Sequence, residues 1–124
     1  MKLFPNLNGS GFMQKIVINN IFDTSKNNIS EEEIFIKLCS SPEVYIEKII
    51  STGQSTPENQ WLEDKRAEWV ILLKGKAGIK FFDSGEFHLR EGDYFFIPAF
   101  TKHQVTYTSS EPECVWLAVY IKSV

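Results

Sequence analysis

The stretch GDYFFIPAFTKH, residues 92–103, decides the fold of this chain. A Gly-Asp turn leads into an aromatic strand, Pro98 ends that strand, and His103 follows five residues later. A second stretch, EWVILLKG at residues 68–75, is separated from the first by sixteen residues. Together the two stretches predict neighbouring strands and place His103, a residue type that titrates near neutral pH, where a pocket is expected.

Length and charge restrict the class of protein. The chain has 124 residues, which fits one domain with a core of its own, and its formal net charge is -3. Because it carries no block of Lys or Arg, we expect neither nucleic acid nor a membrane surface as a partner. The longest apolar run, residues 69–73, is far shorter than the roughly 20 residues of a membrane span.

The two cysteines, Cys39 and Cys114, lie far apart and form no CxxC pattern. Cysteines in this arrangement are typical of reduced, buried thiols in a reducing compartment. The sequence therefore predicts a cytoplasmic location.

The N-terminal part differs from the rest of the chain. Residues 1–12 carry a Gly-Ser-Gly stretch before a second Met, and we interpret them as a vector-derived leader or tag, the alternative being an ordinary N-terminal arm. Residues 13–42 form an N-terminal segment. Within it Ser30 is followed by three glutamates, a capping box that predicts a short α-helix over about 30–39.

From residue 43 to residue 124 the sequence is rich in β-type residues. Strands recurring every eight to twelve residues or so are typical of an all-β sandwich or barrel. Branched and aromatic runs between turn residues predict strands at 44–51, 68–73, 77–82, 86–90, 94–97, 103–108 and 114–121, with a further short one at 15–18.

Two of these strands, residues 69–73 and 115–120, are apolar on both faces. One face can line a barrel interior, but the other needs a second cover. A homodimer is the simplest way to cover that much apolar surface, so we expect one.

The two stretches resemble the paired motifs of the cupin superfamily, which are β-barrels of the jelly-roll type, also called double-stranded β-helices. The first cupin motif ends in a Glu followed seven residues later by a Gly, which Glu68 and Gly75 match. The second has a Gly, a Pro six residues on and a His five beyond it, matched by Gly92, Pro98 and His103. The resemblance implies a small all-β cupin barrel with a short N-terminal helix.

The sequence departs from these motifs at several positions. Where the first motif has an H-x-H pair, this chain has Trp61 and Glu63. Phe100 replaces a glycine of the second motif, and Tyr107 stands where some members have Asn. The indole nitrogen of Trp61 only donates hydrogen bonds, so it cannot bind a metal.

The resemblance, which covers roughly residues 44–121, implies a divalent metal. Its ligands here would be Glu68 and His103, with Glu63 as a carboxylate substitute for a missing histidine. Two carboxylates and one imidazole suit Fe, Mn, Ni or Zn. Each position also has a plainer interpretation. His103 could be a structural histidine, Glu68 could pair with Arg66 or Lys65, and Glu63 could be solvated.

Two kinds of function follow from this set of residues. One is a small-molecule enzyme in which Glu68 and His103 are catalytic, around a metal or as an acid/base pair, with Trp61 and Tyr107 binding the ligand. The other is a non-catalytic or structural cupin that holds a metabolite without a metal. The loss of the histidine pair favours the second, and the sequence does not name the ligand.

Overall fold

The computed structural model describes residues 15–24 and 31–122, and its regular structure in these ranges is entirely β. One sheet has the strand order β1-β2-β8-β3-β6 and the other has the order β5-β4-β7. Within the described ranges there is no helix that could cross a membrane. In chain order the strands are β1 Ile34–Ser40, β2 Val44–Ser51, β3 Ala67–Lys74, β4 Ala77–Phe81, β5 Gly85–Leu89, β6 Tyr94–Ile97, β7 His103–Thr108 and β8 Cys114–Ile121.

The prediction of an all-β barrel is confirmed. The predicted bounds of β2, β6, β7 and β8 agree with those observed. The bounds of β4 differ by one residue at one end, and those of β3 and β5 differ by one residue at each end. Residues 15–18 form no strand. The segment 15–24 instead contacts β2, because Lys48 Nζ donates hydrogen bonds to the carbonyls of Ile21 (3.2 Å) and Asp23 (3.0 Å). The predicted leader lies outside the described residues.

The helix predicted over about 30–39 is wrong where the structure describes it, because Ile34–Ser40 form β1. This segment pairs antiparallel with β2 and so becomes the edge of the larger sheet. Starting an isolated helical turn is costly, whereas alternating branched and aromatic residues fit a pleated edge. Ser30, the predicted cap, lies outside the described residues, and Glu33 accepts a hydrogen bond from Ser51 Oγ.

The hydrophobic core lies between the two sheets. Leu72 and Ala118 come from the larger sheet and Ala77 from the smaller one, and all three are fully buried. Cys114 is buried in the same core, and both cysteines are free thiols. The expected burial of Cys39 is wrong, since this residue is exposed on the edge strand β1 just after a bulge.

The glycines of the two motif stretches lie at positions with positive φ. Gly75 has φ 93° and Gly92 has φ 92°, a region that side-chain-bearing residues rarely adopt. A Cβ atom on Gly75 would also lie 2.8 Å from Cys114 Sγ. The spacing between the motif glycines therefore reflects the turns that lead out of β3 and into β6.

Phe100 is the one non-glycine among the described residues with positive φ, at 62°. It stands where the second cupin motif has a glycine, the residue type that adopts positive φ without steric cost. Its side chain is 65% exposed, so little packing offsets the conformational strain. A Phe in this region costs roughly 1–2 kcal/mol relative to its preferred conformations.

We expect Phe100→Gly to stabilise the protein. Glycine relieves the strain in the folded state, but it also gives the unfolded chain more conformational freedom, which costs roughly 0.4–1 kcal/mol. Because the relief of strain is larger, we expect the free energy of unfolding to rise by about 0.5–1 kcal/mol. Urea unfolding measures it. Phe100→Ala is the control, because it removes the ring but keeps the Cβ atom. Equal stability of the two variants would show that the backbone conformation is not the cause.

Candidate functional site

A cavity of about 300 Å³ lies between the two sheets. This volume is at the lower end of the range for small-molecule sites, and a mainly apolar wall with a few polar groups is typical of them. The polar side chains of the lining are Glu33, Glu63, Asp64, Glu68, His103 and Tyr120. The larger apolar ones are Phe35, Ile49, Leu62, Val70, Ile79, Phe95, Ile97, Val105 and Trp116.

Glu68 lies near the start of β3, opposite Tyr120 of β8 and Ile97 of β6. It shares a face with Val70, so its carboxyl group points into the apolar interior. Burial, together with the nearby charges of Asp64 and Glu47, raises the pKa of this carboxyl to about 7. Glu68 is therefore poised to gain or lose a proton near neutral pH.

The phenol of Tyr120 lies beside the carboxyl groups of both Glu68 and Glu47, and hydrogen bonding to it lowers the pKa of each. Glu47 is only 7% exposed, and burial raises its pKa as well. Burial and the two carboxylates raise the pKa of the phenol far above its usual range. A carboxyl–phenol–carboxyl chain thus runs from the cavity wall into the larger sheet.

The guanidinium of Arg66 is engaged outside this chain of groups. It donates to both oxygens of Asp64, each at 3.0 Å, and lowers the pKa of that carboxyl. It also stacks over the ring of Tyr120, 4.2 Å from the centroid. The alternative pairing of Glu68 with Arg66 is thus not formed as a direct ion pair, although the Arg66 charge partly offsets the rise in the Glu68 pKa.

His103 begins β7 and is 8% exposed. Its Nδ1 lies 2.9 Å from the carbonyl oxygen of Thr101. A carbonyl only accepts, so Nδ1 carries a proton and, in the neutral tautomer, the lone pair lies on Nε2. No hydrogen-bond partner for Nε2 occurs among residues 15–24 and 31–122. An almost buried imidazole on the cavity wall is therefore free to meet a ligand.

Backbone pairing brings Glu63 to the cavity. Leu62 and His103 exchange two backbone hydrogen bonds of 2.8 and 3.0 Å, which lays the segment 62–64 beside the start of β7. Glu63 lines the cavity from this segment but is itself exposed. Glu63, Glu68 and His103 thus line the same cavity.

Trp61 does not reach this cavity. Its ring packs edge-on against Phe82, with 5.2 Å between centroids, and lies 6.0 Å from Lys80 Nζ. Lys80 points outward from the smaller sheet, so the indole covers the outside of that sheet. The predicted role of Trp61 as a wall of the ligand site therefore finds no support in its position.

Tyr107 also lies outside the cavity, although the alternation of β7 places it on the face of His103. A β-bulge changes the register: Val105 pairs with Ile79, but Tyr107 already pairs with Gly78. The extra residue reverses the face. The ring covers Gly78, where a Cβ atom would lie 2.6 Å from it, and the hydroxyl lies 3.3 Å from His88 Nδ1.

Sequence reasoning missed a second polar group in the wall. Trp116 Nε1 donates to Ser51 Oγ at 3.1 Å, and Ser51 in turn donates to Glu33. The alternation within β8 could have indicated that Trp116 and Tyr120 share one face. Glu33 could not be found, because its approach depends on β1 being a strand.

The metal centre implied by the motif resemblance does not fit this arrangement. Within residues 15–24 and 31–122 no group of three His, Cys, Asp or Glu side chains is placed to hold a metal ion. Glu68 is engaged with Tyr120, Glu63 is exposed, and Trp61 lies outside the cavity. His103 alone has the orientation of a metal-binding histidine.

Fold and site together define an all-β barrel with a ligand-sized cavity between its sheets. The chain belongs to the cupin domain family, whose sequence model matches residues 48–120. A search of curated protein sequences finds no match to this chain.

Several solved structures share the fold. A Ralstonia eutropha JMP134 protein, provisionally described as a mannose-6-phosphate isomerase, is 32% identical with a TM-score of 0.79 and covers 87% of this chain and 100% of that one. An RmlC-like cupin of Methanocaldococcus jannaschii is 17% identical (TM-score 0.64, covering 90% and 93%). The Fe(II) form of HppE is 17% identical (TM-score 0.60, covering 72% and 50%). The last two show the fold alone.

We expect Glu68 to make the protein less stable as the pH rises through about 7. The folded chain holds a proton on this carboxyl up to a pKa of about 7, whereas the unfolded chain releases it near 4.5, so the proton stabilises the fold. That contribution is complete below the lower value and lost above the higher one. Between pH 5 and pH 8 it amounts to roughly 2–3 kcal/mol.

Urea unfolding of the parent and Glu68→Gln at several pH values isolates this contribution, because the difference between them removes the other titrating groups. Glu63→Gln is the control, since it removes an exposed carboxylate from the same wall. A Glu68→Gln variant with the pH dependence of the parent would contradict the assignment.

Proposed function

We propose that this protein binds a small organic molecule in the barrel cavity, recognised by Glu68 and His103 and requiring no resident metal. The observation that carries the proposal is the free Nε2 of an almost buried histidine on the wall of a ligand-sized cavity. Nε2 therefore offers a hydrogen-bonding position that a ligand group entering the cavity can occupy.

Glu68 supports an acid/base role in addition to binding. With a pKa near 7, its carboxyl can donate or accept a proton at the pH of a cell. Glu47, whose pKa burial also raises, is a second carboxyl that can hold a proton beside Tyr120. Catalysis by Glu68 and His103 on the bound molecule is therefore the extension of the proposal, and simple binding is its minimum.

The comparison with HppE suggests an alternative proposal, in which the function depends on a metal ion. His103 and Glu68 offer it two donors, but a third is missing from the described wall. An isomerase acting on mannose 6-phosphate is a second candidate, favoured by the 32% identity to the Ralstonia protein. Against it, no Lys or Arg within the described ranges lines the cavity to hold a phosphate.

We expect His103→Ala to abolish ligand binding. The chain has two histidines, and His88→Ala is the matched control because His88 is exposed and points away from the cavity. The readout is the fluorescence of Trp116 in a Trp61→Phe/Trp69→Phe background, where it is the remaining tryptophan. A metabolite library that includes mannose 6-phosphate supplies the ligands.

A ligand that changes the fluorescence of His88→Ala but not of His103→Ala supports the proposal. Ligands that bind both variants equally would make His103 structural. Elemental analysis of protein purified without a metal-affinity step accompanies the screen. A stoichiometric transition metal, lost in His103→Ala, would instead support the metal-dependent version.

We also propose a homodimer formed through the outer face of the larger sheet. Residues 15–24 contact this face at β2, but the part over β8, β3 and β6 is apolar and incompletely covered. Tyr94 and Phe96 are 66% and 46% exposed there, beside the partly exposed Trp69. A second copy of the chain presents the same apolar surface, so the two can cover each other.

Light scattering at micromolar concentration should therefore give twice the mass of the chain. Leu117→Lys, in the middle of this face, should give a monomer, because the charge would be buried at the interface. Phe82→Ser is the control, since it removes an exposed aromatic ring from the other sheet. A monomeric parent protein would refute the dimer.

A cytoplasmic location is proposed on the basis of the free thiols. Cys39 is exposed and unpaired, a state that a reducing compartment preserves. Cell fractionation is the direct check.

A further inference from the structure

The polar part of the cavity wall is acidic. Four carboxyl groups line it, those of Glu33, Glu63, Asp64 and Glu68, and a fifth, Glu47, lies behind Tyr120. Within residues 15–24 and 31–122 no Lys or Arg is among the lining residues. Because the rest of the wall is apolar and screens charge poorly, a ligand that enters the cavity meets a negative electrostatic potential.

The nearest cation does not reverse this sign. Arg66 is held by both oxygens of Asp64 and by the faces of the Tyr120 and Tyr45 rings, so it offsets one carboxylate of the wall. Glu33 accepts a hydrogen bond from the hydroxyl of Ser51, which is an uncharged partner. Glu63 and Glu68 have no cationic partner in the described structure at hydrogen-bond distance.

In its neutral tautomer, His103 adds a hydrogen-bond acceptor to the wall. His103 Nδ1–H is used by the carbonyl of Thr101, so Nε2 offers a lone pair to the cavity. His103 is independent of the acidic residues and only 8% exposed, and its Nε2 has no hydrogen-bond partner among residues 15–24 and 31–122. Carboxylate oxygens and a bare imidazole nitrogen together demand a ligand that brings hydrogen-bond donors.

The apolar part of the wall suits the body of such a ligand. Phe95 and Trp116 present aromatic rings, and Ile49, Val70 and Ile79 present branched side chains. Aromatic faces attract cations, whereas a carboxylate or phosphate gains nothing from them. The volume of about 300 Å³ limits the body to a compact one.

We propose that the cavity selects a small organic cation, an ammonium compound with a compact apolar body whose N–H groups reach Glu68 and His103, and that it excludes anionic ligands. This inference rests on the proposed function and names the ligand class of the same site. It makes a phosphosugar a poor fit, because the phosphate would face carboxylates without a cation beside it.

The test uses three probes of one shape that differ in charge: benzylammonium, benzyl alcohol and benzoate. Binding to the full chain is followed by Trp116 fluorescence at pH 8, where Glu68 is mostly ionised. We expect benzylammonium to bind more than about tenfold more tightly than benzyl alcohol, the usual scale for a hydrogen bond to a charged group, and benzoate not to bind.

Glu68→Gln should remove the preference for benzylammonium over benzyl alcohol while leaving the alcohol bound as before. Glu86→Gln, a carboxylate on the outside of the smaller sheet that bonds Thr106, is the matched control and should keep the full preference. A Glu68→Gln variant that retains the preference would overturn the assignment to this residue.

The remaining outcomes separate this inference from the proposed function. Tight binding of benzoate, or equal binding of all three probes, overturns the cationic ligand class but keeps a binding cavity. If Mn²⁺ binds stoichiometrically and displaces benzylammonium, the acidic wall belongs to a metal ion and the inference is overturned. If neither these probes nor the metabolite library changes Trp116 fluorescence, the proposed function itself fails.

Discussion

The pairing of β3 between β8 and β6 is the constraint on which the rest of this structure depends. It places Glu68 opposite Tyr120 on one side and Ile97 on the other, on the same face as Val70 and the core. A carboxylate in such a position is costly unless it is protonated or hydrogen-bonded. The sheet register therefore places a titrating group inside the barrel. The neighbouring side chains reduce the free-energy cost of burying it.

Tyr120 explains how two buried carboxyl groups coexist beside each other. A phenol has one proton, so it can donate to Glu68 or to Glu47 but not to both at once. The second carboxyl is then best satisfied as the protonated acid, donating to the phenol oxygen. Burial raises the pKa of both carboxyls and so favours the protonated form, and this outweighs the opposite effect of hydrogen bonding to Tyr120. Arg66, over the ring and bound to Asp64, keeps the group from accumulating more negative charge.

The sequence predicted the barrel well and the site only in part. Strand bounds followed from local residue patterns, and Glu68 and His103 from their spacing to turn glycines. Tyr107 could not be placed, because the bulge that turns it outward is fixed by pairing with Gly78 rather than by its own neighbours. The strand β1 was mistaken for a helix for a related reason, since its conformation depends on the edge of β2.

Phe100 and Trp61 distinguish the motif positions that fix the backbone conformation from those that supply ligand-binding side chains. Phe100 keeps a φ of 62° where the motif has glycine, so the turn survives at the expense of strain. Trp61, standing where the motif has a histidine, leaves the cavity altogether and packs on Phe82. Backbone geometry is imposed by the pairing of many residues, whereas a ligand position depends on one side chain. A cupin motif therefore predicts the barrel of this chain more firmly than the chemistry inside it.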